Sequence, residues 1–125
     1  MRANNRYLDF VIEWLSPLGE ITARGMFGGY CLYCDEVVFA LVADDTLYLK
    51  VDDSTRARFE SLGLKPFRPF ADRPKVAQRY PQVMQYYPPP PEFFEDPAMV
   101  ADWGRAALEA GLRAKAKKSR RAKRA

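Results

Sequence analysis

Residues 20–51 read EITARGMFGGYCLYCDEVVFALVADDTLYLKV, and the fold turns on this stretch. Glu20 to Phe27 alternates in polarity and runs into glycine, and Tyr30 to Cys34 follows. Val37 to Ala43 is apolar at every position, the pattern of a strand covered on both faces and therefore central in its sheet. Asp44-Asp45 turns the chain into Thr46 to Val51, where Leu47, Leu49 and Val51 face one way and Tyr48 and Lys50 the other. The intervals between these runs are too short to hold crossover helices. The four strands are therefore expected to form an antiparallel meander.

Helices flank this core in the sequence. Tyr7, Phe10, Val11, Trp14, Leu15 and Leu18 recur at three- and four-residue spacing, predicting an N-terminal helix with one buried stripe. Asn4 or Asn5 supplies its cap, and Pro17 and Gly19 stop it. Asp52 or Asp53 opens a short middle helix with Phe59 and Leu62 inward, Arg56 and Glu60 paired across one turn, and Gly63 as its left-handed end. Leu64–Phe70 reads as a proline-confined edge strand, 71–82 as a loop, and Val83–Tyr87 as a last strand ended by four prolines. Asp96-Pro97 then opens a C-terminal helix whose apolar face is Met99, Val100, Trp103, Ala107 and Leu108, with Gly111 weakening its end. The expectation is an α+β domain over residues 1–112: an antiparallel meander with N-terminal, middle and C-terminal helices.

A chain of 125 residues with 48% hydrophobic and 29% charged residues is globular and fits one domain. Its longest apolar run, Val37 to Ala43, falls far short of the ~20 residues that span a bilayer. Asp9 and Glu13 interrupt the N-terminal helix too early for a secretory leader, so a cytoplasmic location and no membrane contact are expected. The chain has no histidine, which removes Ser-His and Cys-His nucleophile pairs and every His-bearing metal site. Two cysteines cannot form a four-thiolate zinc site either. No catalytic residue, cofactor or metal is expected, and the protein is read as a non-enzyme. Cys31 and Cys34 lie three apart in a strand, pointing to opposite faces, and read as ordinary thiols.

The charge is divided. From Arg113 to Ala125 stand eight basic residues (Arg113, Lys115, Lys117, Lys118, Arg120, Arg121, Lys123 and Arg124) and no acid, leaving 12 basic against 16 acidic residues in the remainder. The net charge of +4 is thus a property of this appendage, on a body of −4. A segment with almost nothing to bury is expected to be disordered or a fraying helix when free, and to become helical on a polyanion. These eight residues are the candidate contact to nucleic-acid phosphates. A second cationic stretch, Lys65, Arg68, Arg73, Lys75 and Arg79 interleaved with Phe67, Phe70 and Tyr80, has the composition of a base-stacking loop.

Several blocks together resemble one family. Thr22-Ala23-Arg24-Gly25-Met26-Phe27-Gly28-Gly29-Tyr30, then Val38 to Asp44, Leu47 to Asp52, Thr55 to Phe59, Met84 to Tyr87 and Asp102 to Ala107, are similar in kind and order to the N-terminal domain of the TfoX/Sxy family. The resemblance covers most of residues 5–112. It implies an α+β topology similar to type III secretion chaperone-like folds, and a relation to regulators of natural competence thought to act with a transcription factor. It assigns no catalytic residue. The full regulators carry a second, helical C-terminal domain where this chain has its basic segment. The function expected is a regulatory or adaptor domain. Its expected partners are a protein such as a transcription factor, a second copy of itself, and nucleic acid held loosely by the tail; the alternative is a chaperone-like module with no nucleic-acid role.

Overall fold

The computed structural model describes residues 5–26, 29–67 and 85–124, without the side chains of Met26 and of residues 121–124. Four strands, β1 (Ile21–Met26), β2 (Gly29–Cys34), β3 (Val37–Ala43) and β4 (Thr46–Lys50), form the expected antiparallel meander, and β5 (Tyr86–Tyr87) extends it beyond β4. Two of the hairpins turn on acidic pairs. Asp35 and Glu36 (φ 50° and 68°) join β2 to β3, and Asp44 and Asp45 (φ 49° and 52°) join β3 to β4. Positive φ at both central residues is what a type I′ turn requires, and its twist matches that of the strands it joins. The pairing shifts between Leu32 and Tyr33, which makes Phe39 the extra, bulged residue of β3 and leaves both Phe39 and Ala40 in the main core.

One face of the sheet carries that core. Leu32, Cys34, Phe39, Ala40, Val42, Leu47 and Leu49 pack beneath α1 (Arg6–Leu15), a π-helical turn (Val100–Gly104) and α3 (Arg105–Arg124). Helix α2 (Arg56–Glu60) closes one side through Phe59, which meets the Trp103 ring edge-on at 4.9 Å. The opposite face carries a smaller buried set, Cys31, Leu41 and Tyr86, flanked by Tyr33, Val38, Tyr48 and Phe67. No disulfide joins the two cysteines, which fall in different clusters, as their spacing predicts.

Four expectations need correction, the simplest being Leu62, which was expected to face inward and is 55% exposed. In α1 the residues that reach full burial are Leu8, Val11 and Leu15, while Phe10 is 44% exposed. The helix is rotated from the predicted stripe because its aromatics turn aside to meet one another and Phe94, whose ring lies 5.3 Å from that of Phe10. Asn5 is the cap, its side chain accepting from the Leu8 N–H at 2.8 Å. Leu64–Phe67 forms no strand; its tie to the sheet is the Phe67 N–H donating to the Tyr86 carbonyl at 2.8 Å. The rest of that predicted edge strand, and the loop after it, lie outside the described residues. In α2, Arg56 pairs with Asp53 at 2.9 Å, while Glu60 accepts from the Tyr87 hydroxyl at 3.0 Å. Gly63 does take the left-handed conformation (φ 76°) expected at its end.

The largest difference concerns the C-terminal segment. Helix α3 passes residue 112 without a break and continues to Arg124, where the sequence suggested a disordered or fraying arm. Gly111 is not a helix end. A Cβ there would lie 2.4 Å from the Val38 carbonyl oxygen and 2.8 Å from Val37 Cγ1, so glycine is what lets α3 lie directly on β3. The helix then continues because nothing stops it. From Leu112 onward the chain has neither glycine nor proline and is built almost wholly of Ala, Lys and Arg, the strong helix formers.

Candidate functional site: a cationic helix anchored to the sheet

The candidate cations are best followed along α3. Its first half is fixed by Ala107 and Ala110, both buried, and by Gly111. Arg113 is the next anchor: its Nε donates to Asp52 Oδ2 at 2.6 Å and its Nη2 to Asp52 Oδ1 at 3.2 Å. The Arg113 guanidinium holds the Asp52 carboxyl below the usual carboxylate range, although partial burial pushes the other way. Asp52 also accepts from the Ser54 N–H at 3.0 Å through Oδ1, and its carbonyl accepts from the Thr55 and Arg56 N–H groups. One carboxylate therefore organises the entry to α2 and ties down the start of the basic segment. Sequence reading saw only the first of these roles.

Beyond Arg113 the cations separate. Lys117 lines a cavity of about 260 Å³ together with Asp52, Asp53, Gln85 and Lys50. Lys115 and Lys118 line a second, of about 510 Å³, with Tyr33, Val38, Glu36 and, again, Lys50. Arg120 is exposed; Arg121, Lys123 and Arg124 continue the helix with side chains outside the described set. The structure thus brings Lys115, Lys117 and Lys118 to the two sides of one strand end and leaves Arg120 in solvent.

Lys50 was not among the predicted site residues. It is 8% exposed, with Nζ 4.9 Å from the centre of the Tyr86 ring. Among the described residues its ammonium has no ion-pair partner. Burial pushes its ammonium below the usual lysine value, opposed by the nearby Asp52. The sequence did carry a signal: an ammonium on the face of β4 opposite Leu47 and Leu49, in a strand too central for it to escape to water. The neighbouring Cys31 thiol is pushed up by burial, which makes it a poor nucleophile.

A second feature lies at the other end of the molecule. Phe10, Trp14, Pro17, Pro97 and Val100, with Glu13 and Ser16, line a cavity of about 400 Å³. The Phe10 and Trp14 rings stack at 6.2 Å, and Trp14 Nε1 donates to the Phe93 carbonyl at 3.1 Å. This is an open aromatic surface on a fixed frame. Among the described residues there is no group of carboxylates and thiols placed to hold a metal ion, and no helix long and apolar enough to cross a membrane.

An antiparallel meander backed by an N-terminal helix and a long C-terminal helix is the architecture of a TfoX-type N-terminal domain. Residues 13–111 match the TfoX N-terminal domain family, and the chain belongs to it. Among similar proteins are the DNA transformation protein TfoX1 of Aliivibrio fischeri, 38% identical over 63 residues (50% of this chain, 28% of that one), and protein Sxy of Escherichia coli, 50% identical over 38 residues (30% and 18%). An uncharacterized 12.7 kDa protein in the trpE 5′ region of Spirochaeta aurantia is 29% identical over 87 residues (70% and 65%). The chain matches less than a third of the length of the first two. The family is one of competence-regulator domains and is not a known enzyme family.

Proposed function

We propose that the protein is a regulatory domain that holds nucleic acid through the cationic half of α3 and a protein partner through the folded body. The observation that carries the first part is eight cations with no acid over residues 113–125, on a helix whose root is pinned by Gly111 and the Arg113–Asp52 pair. A helix held at its root presents its charges with less ordering entropy to lose on binding than a free arm. Such contacts release counterions from the phosphate backbone and carry no base sequence information. With Arg113 committed to Asp52, seven cations remain, and a duplex engaging all of them gives a salt slope of about −6.

The experiment is duplex binding by the full chain across a salt series, compared with the Lys115→Gln, Lys117→Gln, Lys118→Gln, Arg120→Gln variant. Removing four phosphate contacts should lower the magnitude of the slope by about 3.6. No duplex affinity at low salt, or a slope unmoved by the four substitutions, defeats the nucleic-acid reading. The half-exposed Phe10 over the aromatic cavity favours the alternative, a protein-interaction module in which the cations only solubilise. That reading stands if duplex affinity is absent.

A further inference from the structure

The sheet order leaves β1 outermost, and among the described residues nothing pairs with its outer side. It is a six-residue edge without proline and without an inward-pointing charge, and such an edge exposes the N–H and C=O of every second residue. Charge is distributed along it unevenly. Glu20, Thr22 and Arg24 are exposed on one face, while Ile21 and Ala23 lean onto the core from the other. A groove of about 600 Å³ runs along this edge, lined by Glu20, Thr22, Ala23, Arg24, Asp35 and Glu36. The β1–β2 register places Ile21 opposite Cys34, so the Asp35-Glu36 turn sits beside Glu20. One end of the edge therefore carries three carboxylates and the other the Arg24 guanidinium.

We propose that β1 pairs antiparallel with β1 of a second copy about a two-fold axis through Thr22, joining the two sheets into one. Two-fold symmetry sets the acidic end of each edge against the cationic end of its partner. With Thr22 opposite its own copy, Glu20 falls directly opposite Arg24 twice, and Ile21 opposite Ala23 twice, apolar against apolar. Moving the axis to Ala23 places Glu20 opposite Met26 and Arg24 opposite Thr22, and both charge pairs are lost. Moving it to Ile21 places Arg24 opposite Leu18. Charge thus selects one register among those the strand allows. In the free chain Arg24 lies over the Tyr33 ring of β2 at 4.9 Å, so pairing with a carboxylate across the seam draws the guanidinium off that ring.

The pairing involves no residue of the cationic half of α3 and stands or falls apart from the nucleic-acid reading. The test is sedimentation equilibrium of the nuclease-treated full chain over a wide concentration range. The wild type should show a monomer–dimer equilibrium. Glu20→Arg alone and Arg24→Glu alone each bring like charges together and should raise Kd about tenfold or more, and the double reversal E20R/R24E should restore it to within about threefold. These positions are exposed, so unchanged thermal melts of the monomers confirm that the variants fold. Directly opposed side chains in a sheet are also within disulfide reach, so Thr22→Cys should cross-link to a covalent dimer on mild oxidation, whereas Ala23→Cys, opposite Ile21, should not. A monomer at every concentration, a dimer insensitive to the single reversals, no rescue by the double reversal, or a T22C chain that does not cross-link each overturns the proposal.

Discussion

The two halves of α3 obey different physics in one continuous helix. Through Gly111 the helix exists because it is packed: Ala107 and Ala110 are buried, and Gly111 has the backbone of β3 within reach of where its side chain would be. From Leu112 to Arg120 every residue is exposed, and the helix exists because its sequence propagates from that packed start. Starting a helix is the unfavourable step and extending it is nearly free, so an anchored first half nucleates a second half that could not form alone. The lesson is that tertiary packing can supply order to a neighbouring segment that buries almost nothing itself and is tied to the body chiefly at its root, through Arg113. The seam between the regimes is the Arg113–Asp52 pair.

The widest separation between the halves should come from Gly111→Ala. In an exposed helix this change stabilises by about 1 kcal/mol, through propensity alone. Here the new Cβ would sit 2.4 Å from the Val38 carbonyl oxygen, a backbone atom that cannot step aside cheaply. Overpacking of this kind costs about 1–3 kcal/mol and should win over propensity. A net loss of up to about 2 kcal/mol, or roughly 5 °C in Tm by thermal melt, is the expected result. A rise in Tm would mean that the helix stands off the sheet.

The same contrast explains what could be read from the sequence. The meander was legible because period-two patterning and acidic two-residue turns act locally, and Asp44-Asp45 announces its own hairpin. Phe10 was misread because two adjacent stripes on α1, one through Tyr7, Phe10 and Trp14 and one through Leu8, Val11 and Leu15, are equally apolar. The first of them meets Phe94, some eighty residues away, and the second enters the core, a choice that no local pattern records. Gly111 was misread as a weak end because a close approach to Val38 leaves no local trace, only a glycine. The helicity beyond it is readable in composition, a run of Ala, Lys and Arg with neither glycine nor proline to break it. The second role of Asp52 was invisible because its partner, Arg113, stands 61 residues away and is brought near only by the fold, whereas Lys50 left its signal in the face it occupies on β4.

A smaller effect is expected at the seam. Arg113→Gln removes the guanidinium that keeps the Asp52 carboxyl ionised. Both groups are partly exposed, so solvent screening limits the loss to about 0.5 kcal/mol at neutral pH and low salt. The pH dependence has a definite sign. Asp52 has a lowered pKa in the folded chain, so its contribution is fully present above the unfolded carboxylate value of about 3.9 and is lost as pH falls through the lower folded value. Wild type and variant should therefore differ near pH 7 and converge in acid when denaturant midpoints are compared. A gap that persists or widens below pH 3 would show that Arg113 acts through packing instead.

The least change in stability should follow the most disruptive backbone substitution, which is what makes it informative. Proline inside a helix removes one hydrogen bond and clashes with the carbonyl four residues earlier, costing about 3 kcal/mol where the helix is needed for the fold. Ala116→Pro strikes the exposed half, downstream of Gly111 and Arg113. Residues 117–124 would lose their helix, which far-UV circular dichroism reads directly. The packed half would be untouched, so the thermal midpoint should move by no more than about 1 °C, because the lost segment contributes no buried surface. Net charge is unchanged, so duplex binding should keep its salt slope and lose affinity only by the added entropy of ordering a flexible arm. A midpoint that falls by several degrees would mean that Lys117 and Lys118, at the rims of their cavities, stabilise the sheet. The division of α3 into a packed root and a merely propagated tip would then have to be given up.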